Sequence, residues 1–153
     1  MKSHSLRSHC PITTGIDVIG DKWTLLILRH MLFRHKHTYG ELLDMKERIG
    51  TKILAERLKT LVADGLIEKR NDPSNKKVFL YTLTDKGLSI IEIMAKIIKF
   101  SVTYYHNQMM SKPVDKTKLS SIYMQSKSEQ AFIKNGKKEY VNFRKKLLAF
   151  EIA

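Results

Sequence analysis

A chain of 153 residues, 42% of them hydrophobic, can bury one ordinary core, which excludes global disorder. No stretch reaches the roughly 18 uninterrupted apolar residues of a membrane span, and no apolar h-region follows the polar N-terminus. The one cysteine, Cys10, can close no disulfide within the chain, and 28 Lys and Arg against 15 Asp and Glu leave a charge of +13, so the expected setting is a reducing cytoplasm with a polyanionic partner.

Residues 1–10 are polar and are expected to be mobile. Pro11 opens an apolar segment over residues 12–19 that ends at Gly20. Asp21 can cap a helix whose apolar positions Trp23, Leu26, Ile27, His30, Met31 and Phe33 recur at helical spacing. Arg34-His35-Lys36-His37 reads as a loop. Thr38-Tyr39-Gly40-Glu41 is a capping box, with Glu41 three residues after the cap, and it opens a short helix carrying Leu42, Leu43 and Met45.

A charged turn, Lys46-Glu47-Arg48-Ile49-Gly50, leads into a longer helix predicted over residues 51–64 and stopped by Gly65. Its Leu54, Leu58 and Leu61 stand at i, i+4 and i+7, one buried stripe. Two β-prone runs, 66–70 and 78–83, flank the loop Asn71-Asp72-Pro73-Ser74-Asn75 and predict a hairpin.

Thr84-Asp85-Lys86-Gly87 caps a long helix expected to run to about Met110 and to be closed by Pro113. Leu88, Ile91, Ala95, Ile98, Val102, Tyr105 and Met109 are spaced alternately three and four apart, the register of a coiled-coil-like seam. A second stripe, Ile90, Met94, Ile97 and Ser101, lies beside it. One stripe is expected to cover the host domain and the other to meet a partner subunit, with burial inside a single monomer as the alternative. Beyond Pro113 the chain is basic. Its apolar positions Phe132, Tyr140, Phe143, Leu147, Leu148 and Phe150 predict one or two amphipathic helices, expected to wrap the partner subunit with charge outward rather than to contact phosphates.

This order predicts a mainly α (α+β) fold, a winged helix-turn-helix with a two-stranded wing, a long dimerisation helix and an extra C-terminal helical segment. The corresponding organisation is a mobile segment over 1–10, a DNA-binding and dimerisation domain over 11–112 and a basic helical extension over 113–153. In such a fold the first helix of the pair braces the second, whose outer face enters the major groove. Opposite the leucine stripe stand Lys52, Glu56, Lys59 and Ala63. The N-terminal part of the helix, which reaches base edges, adds Thr51 and Ala55. Lys52 could bond guanine and Glu56 could accept from cytosine N4. Arg57 borders the buried stripe and suits a backbone contact or an intramolecular ion pair. At the hairpin tip, Asn75, Lys76 and Lys77 are placed to follow phosphates or the minor groove.

No nucleophile turn, Walker loop or dinucleotide-binding glycine pattern is present, and Cys10 has no triad, so an enzyme is not expected. His35 and His37 lack carboxylate or thiolate support, so neither metal nor cofactor is expected. A protein–protein module meeting an acidic partner is the competing function.

Cys10-Pro11, Asp17-Val18-Ile19-Gly20-Asp21-Lys22-Trp23, Tyr39-Gly40-Glu41-Leu42, Asp64-Gly65-Leu66-Ile67 and Tyr81-Thr82-Leu83-Thr84-Asp85-Lys86-Gly87 occur in an order that resembles the HxlR-type transcriptional regulators. The likeness covers about residues 10–110. It implies a homodimer on a (pseudo)palindromic operator of double-stranded DNA, built from the N-terminal helix (Ile12, Ile16) and the helix after the wing. It also implies redox or electrophile sensing through Cys10, with a small oxidant or electrophile as effector. The chain departs from the pattern at Gly50, where a serine-like cap is common, and in its extension past residue 113.

Overall fold

The computed structural model describes residues 9–110 and 119–149. The expected mobility of residues 1–10 and the stop at Pro113 therefore fall on positions mostly outside the described residues.

Helix α1 spans Pro11–Ile19, with proline in the first turn, where its missing N–H costs nothing. Helix α2, Lys22–Arg34, starts where Asp21 Oδ1 accepts the amides of Trp23 (3.0 Å) and Thr24 (3.1 Å). It ends at His35, which takes the left-handed conformation. Thr38 and Glu41 form the expected capping box of α3, Tyr39–Leu43. Helix α4 covers Thr51–Ala63 and buries Leu54, Leu58 and Leu61 as the stripe predicts. Gly65, at φ 68°, closes it: the Leu66 amide reaches the Leu61 carbonyl (3.0 Å) and the Gly65 amide that of Val62 (3.1 Å), a Schellman termination.

Strands β1 (Ile67–Asn71) and β2 (Phe79–Leu83) pair antiparallel, with Ile67 opposite Leu83 and Asn71 opposite Phe79. The hairpin is asymmetric. β1 exposes all but Ile67, whereas β2 buries all but Phe79 against the helices. A bridge between Thr38 and Leu80 and a 2.7 Å bond from the Tyr81 amide to the His37 carbonyl seat β2's other edge on the loop before α3.

After the wing, the single long helix expected from the spacing is two: α5, Asp85–Leu88, and α6, Ile90–Met110. Thr84 caps α5 by accepting the Gly87 amide, and Gly87 lies so close against the Leu66 carbonyl that a Cβ there would overlap it. The chain turns at Ser89 before α6 begins, and α6 is itself kinked at Tyr105 (φ −124°, ψ 18°). Helix α7 (Leu119–Gln125) and helix α8 (Glu129–Ala149) are the last elements among the described residues.

The extension is not a separate layer. Phe132 and Tyr140 of α8 are buried in the same core as Ile27, Leu28, Leu54 and Leu83, with Phe143 and Ile133 packed at its edge. This corrects the expectation that Phe132, Tyr140 and Phe143 wrap a partner subunit: within the monomer they already cover α2, α6 and β2. Phe150 lies outside the described residues. The same packing corrects the seam. Leu88, Ile91 and Ala95 are buried inside the monomer, with Ile91 meeting α8 at Gly136, so this half of the stripe has no surface left for a partner. Ion pairs Lys96–Glu129 (2.7 Å) and Lys137–Glu92 (2.6 Å) border that helix contact. No helix among the described residues is long and apolar enough to cross a membrane.

Candidate nucleic-acid interface

Burial of the three leucines turns the opposite face of α4 outward. Lys52, Glu56 and Lys59 are exposed on it, and Thr51 and Ala55 are exposed beside them in the first turns. Ile53 is exposed as well, an apolar group among the polar ones that the leucine spacing alone did not single out. Gly50 occupies the N-cap in extended conformation, and no side chain caps the helix. The start of α4 is pinned instead from α3, where the Tyr39 hydroxyl donates to the Thr51 carbonyl at 2.9 Å.

Arg57 is committed inside the chain. Its Nε stands 3.3 Å from Asp21 Oδ1, so of the two roles open to it the structure displays the intramolecular pair. The turn between α3 and α4 is tied back to α2 in a similar way. Glu47 takes the Arg29 guanidinium at 2.5 Å and His30 Nε2 at 3.1 Å. Partial burial works against the Glu47 charge, but hydrogen bonds from Arg29 and His30 prevail and hold its carboxyl down to about 2. His30 is held below the usual imidazole range, first by its own burial and then by the Arg29 charge, so the neutral ring sits in that network.

The wing tip is ordered by its own side chains. Asp72 accepts from the Ser74 hydroxyl (2.6 Å) and amide (2.8 Å), which hold its carboxyl below the ordinary range, and Asn75 accepts the Lys77 amide at 3.1 Å. The bond from the Val78 amide to the Asn75 carbonyl (2.8 Å) closes the turn and leaves Lys76 and Lys77 exposed. On the strands below, Lys69 Nζ sits 3.7 Å over the Phe79 ring.

His35 and His37 do not converge on a common point. His35 stacks on Phe143 at 4.4 Å with the rings nearly parallel, and His37 Nδ1 lies 2.9 Å from the His35 carbonyl and 3.4 Å from Glu41. Trp23 is partly buried against the core, with Lys22 Nζ 5.0 Å from its ring centre.

Cys10 is exposed at the N-cap of α1, its thiol held below the ordinary value chiefly by the Thr13 backbone, with the Thr13 hydroxyl and the Ile12 backbone assisting. On the same helix Ile12 and Ile16 are exposed, at 73% and 57%. Of the predicted seam, Ile98, Val102 and Met109 are half-buried and Tyr105 is exposed. A different stripe of α6 faces outward: Ile93, Ile97, Phe100 and Tyr104, spaced four, three and four residues apart. That spacing is legible in the chain, but it was masked by the longer register next to it.

A family model described as HxlR-like helix-turn-helix matches residues 18–109. The regulatory protein MalR of Fusobacterium mortiferum is 35% identical over 85 residues, spanning 56% of this chain and 80% of that protein. The HTH-type transcriptional regulator YodB of Bacillus subtilis is 32% identical over 82 residues, 53% of this chain and 72% of that one. The solved reduced form of YodB superposes with a TM-score of 0.53 at 25% identity, covering 64% of this chain and 96% of that chain. A structure described as a MarR-family regulator of Enterococcus faecalis shares the fold, with a TM-score of 0.54 at 19% identity over 72% of this chain and 99% of that one. Helices α7 and α8 lie beyond the matched span.

Proposed function

The chain belongs to the HxlR-like helix-turn-helix family of transcriptional regulators, not to the enzymes, and on that premise we propose that it acts in the cytoplasm as a homodimer on a (pseudo)palindromic operator. The observation that carries this reading is the two-sided α4. Its leucines are locked into the core while Lys52, Glu56 and Lys59 stand clear on the opposite face, flanked by the exposed Thr51 and Ala55 of the first turns, and Lys76 and Lys77 are exposed at the wing tip. Lys52 and Glu56 read bases, Thr51, Ala55 and Lys59 line the groove, and Lys76 and Lys77 follow the backbone. Arg57 positions α4 through Asp21.

The partner surface combines Ile12 and Ile16 of α1 with Ile93, Ile97, Phe100 and Tyr104 of α6, together with Tyr105 from the predicted seam. Exposed apolar side chains on two helices favour burial by a second copy, and a twofold assembly would present two α4 helices to two half-sites. Cys10, exposed on the same α1, is the thiol through which an oxidant or electrophile would act. Two Cys10 thiols would give two protons and two electrons to a quinone or peroxide and form one S–S bond between subunits.

Selection of bound genomic fragments by the full chain, followed by mobility shifts at two salt concentrations, tests the assignment. Enrichment of a palindromic site is expected, and retention of an acidic protein with no DNA preference would overturn it. Repeating the shift after quinone treatment, with wild type and Cys10→Ser, tests the sensor: the wild type should change affinity and the variant should not.

A further inference from the structure

We infer that α8, which lies beyond the span of the family model, belongs to the DNA-reading apparatus: Tyr140 and Arg144 are positioning residues that set the wing's angle against the recognition helix α4. The inference rests on the DNA-binding reading above and adds a role for the extension.

Leu83 is the last residue of β2 and pairs with Ile67, the first of β1, so it marks the root of the wing. Both polar groups of its backbone are held by α8. The Leu83 amide donates to the buried Tyr140 hydroxyl at 2.7 Å, and its carbonyl accepts from Arg144 Nη1 at 2.8 Å. Arg144 Nη2 continues to Asp85 Oδ1, 3.1 Å away, in the first turn of α5. Between these residues, the Thr84 hydroxyl donates to the Gly65 carbonyl at 2.7 Å, immediately past the end of α4. The recognition helix, both strand ends of the wing and α5 therefore meet at one junction, and α8 closes its remaining side.

The chemistry fits a clamp. β2 has β1 on one edge, and its other edge is seated on residues 37–38 only as far as Tyr81. Beyond that point α8 supplies the donor and acceptor that a third strand would supply. The clamp is also anchored along its length, through Phe132 stacked on Phe33 (5.7 Å) and Phe143 on His35 (4.4 Å). Angle matters because the wing is a lever. β2 is held at residues 80–81 and again at Leu83, so loosening the second point leaves the strand pivoting on the first. Lys76, beyond Leu80 by roughly 13 Å at about 3.3 Å per residue, then moves by about 2 Å for a swing of about 10°, more than a hydrogen bond to phosphate tolerates.

A helix that only added stability would leave a different signature, which a mutant cycle on the full chain detects. Operator affinity and its salt dependence would be measured for Tyr140→Phe, Arg144→Ala and Arg144→Lys, each alone and combined with Lys76→Ala/Lys77→Ala, below the melting temperature of every variant. Tyr140→Phe and Arg144→Ala should each weaken binding about three- to tenfold and flatten the salt dependence, with less than about a twofold further loss once the wing lysines are gone. Arg144→Lys, which keeps one donor for the Leu83 carbonyl, should restore part of the loss. Equal losses with and without the wing lysines would overturn the inference while leaving DNA binding standing. A wild-type chain that binds no DNA would remove the reading on which it rests, and the inference with it.

Discussion

Asp21 Oδ1 serves two helices at once: it caps α2 through the amides of Trp23 and Thr24 and stands 3.3 Å from the Arg57 guanidinium on α4. One carboxylate thus starts α2 and ties α4 to it. Asp21→Ala should cost about 1–2 kcal/mol by urea denaturation, most of it from the lost cap, whereas Arg57→Ala should cost no more than about 1 kcal/mol because the pair is partly solvated. A larger loss for Arg57→Ala would mean that the pair, not the cap, dominates.

Lys52 and the wing lysines should fail differently. Lys52→Ala is expected to weaken operator binding by about 1–3 kcal/mol and to relax the preference at one base position. Lys76→Ala or Lys77→Ala should weaken all sequences alike and lower the slope of log affinity against log salt by about 0.9 per charge. Titrations of operator and scrambled duplexes at several salt concentrations separate the two, and a uniform loss for Lys52→Ala would move that residue to the backbone contacts.

The two faces of α6 make opposite predictions. Ile97→Lys should leave the fold intact and shift the light-scattering mass towards the monomer, because Ile97 is 44% exposed within one chain. Ile91→Ala should instead cost about 2–5 kcal/mol of stability, because Ile91 is 0% exposed and the truncation opens a cavity between α6 and α8. If Ile91→Ala dissociated a dimer without lowering the melting temperature, the assignment of the two stripes would be reversed.

Glu47 links stability to pH. Its carboxyl is ordinary in the unfolded chain, near 4.5, and held down to about 2 in the folded one, so its contribution is complete above about 4.5 and fades as pH falls through that window. Glu47→Gln should therefore lower stability by no more than about 1 kcal/mol at pH 7, given the site's exposure, and by progressively less from pH 4.5 downward. Denaturation curves of both proteins across that range would show the gap closing, and a gap constant with pH would exclude the Arg29 and His30 contacts as its cause.

Two glycines test close approach. A Cβ at Gly87 would overlap the backbone carbonyl of Leu66, which cannot move without unseating β1, so Gly87→Ala should be severely destabilising. At Gly136 a Cβ would meet first the Cδ1 end of Ile91, which can rotate, so Gly136→Ala should cost about 1–3 kcal/mol. The order of the two melting temperatures checks this, and equal losses would show that the α8 contact is as unyielding as the backbone one.

Local signals were sufficient wherever an element carries its own instructions. Asp21, the Thr38–Glu41 box, Gly65 and the Leu54/Leu58/Leu61 spacing specify their helices within a few residues, because capping and amphipathicity are properties of neighbours along the chain. The outward face of α4 followed from the same leucines. What periodicity could not assign was the occupant of each apolar face. Leu88, Ile91 and Ala95 suit a partner's helix as well as they suit the chain's own core, and only the tertiary packing, which brings residues 129–149 back onto α2, α6 and β2, decided between them. Likewise nothing near Leu83 in the chain announces Tyr140 or Arg144, more than fifty residues away. Hydrophobic pattern states that a surface must be covered, and the cover itself is chosen by the three-dimensional path of the chain.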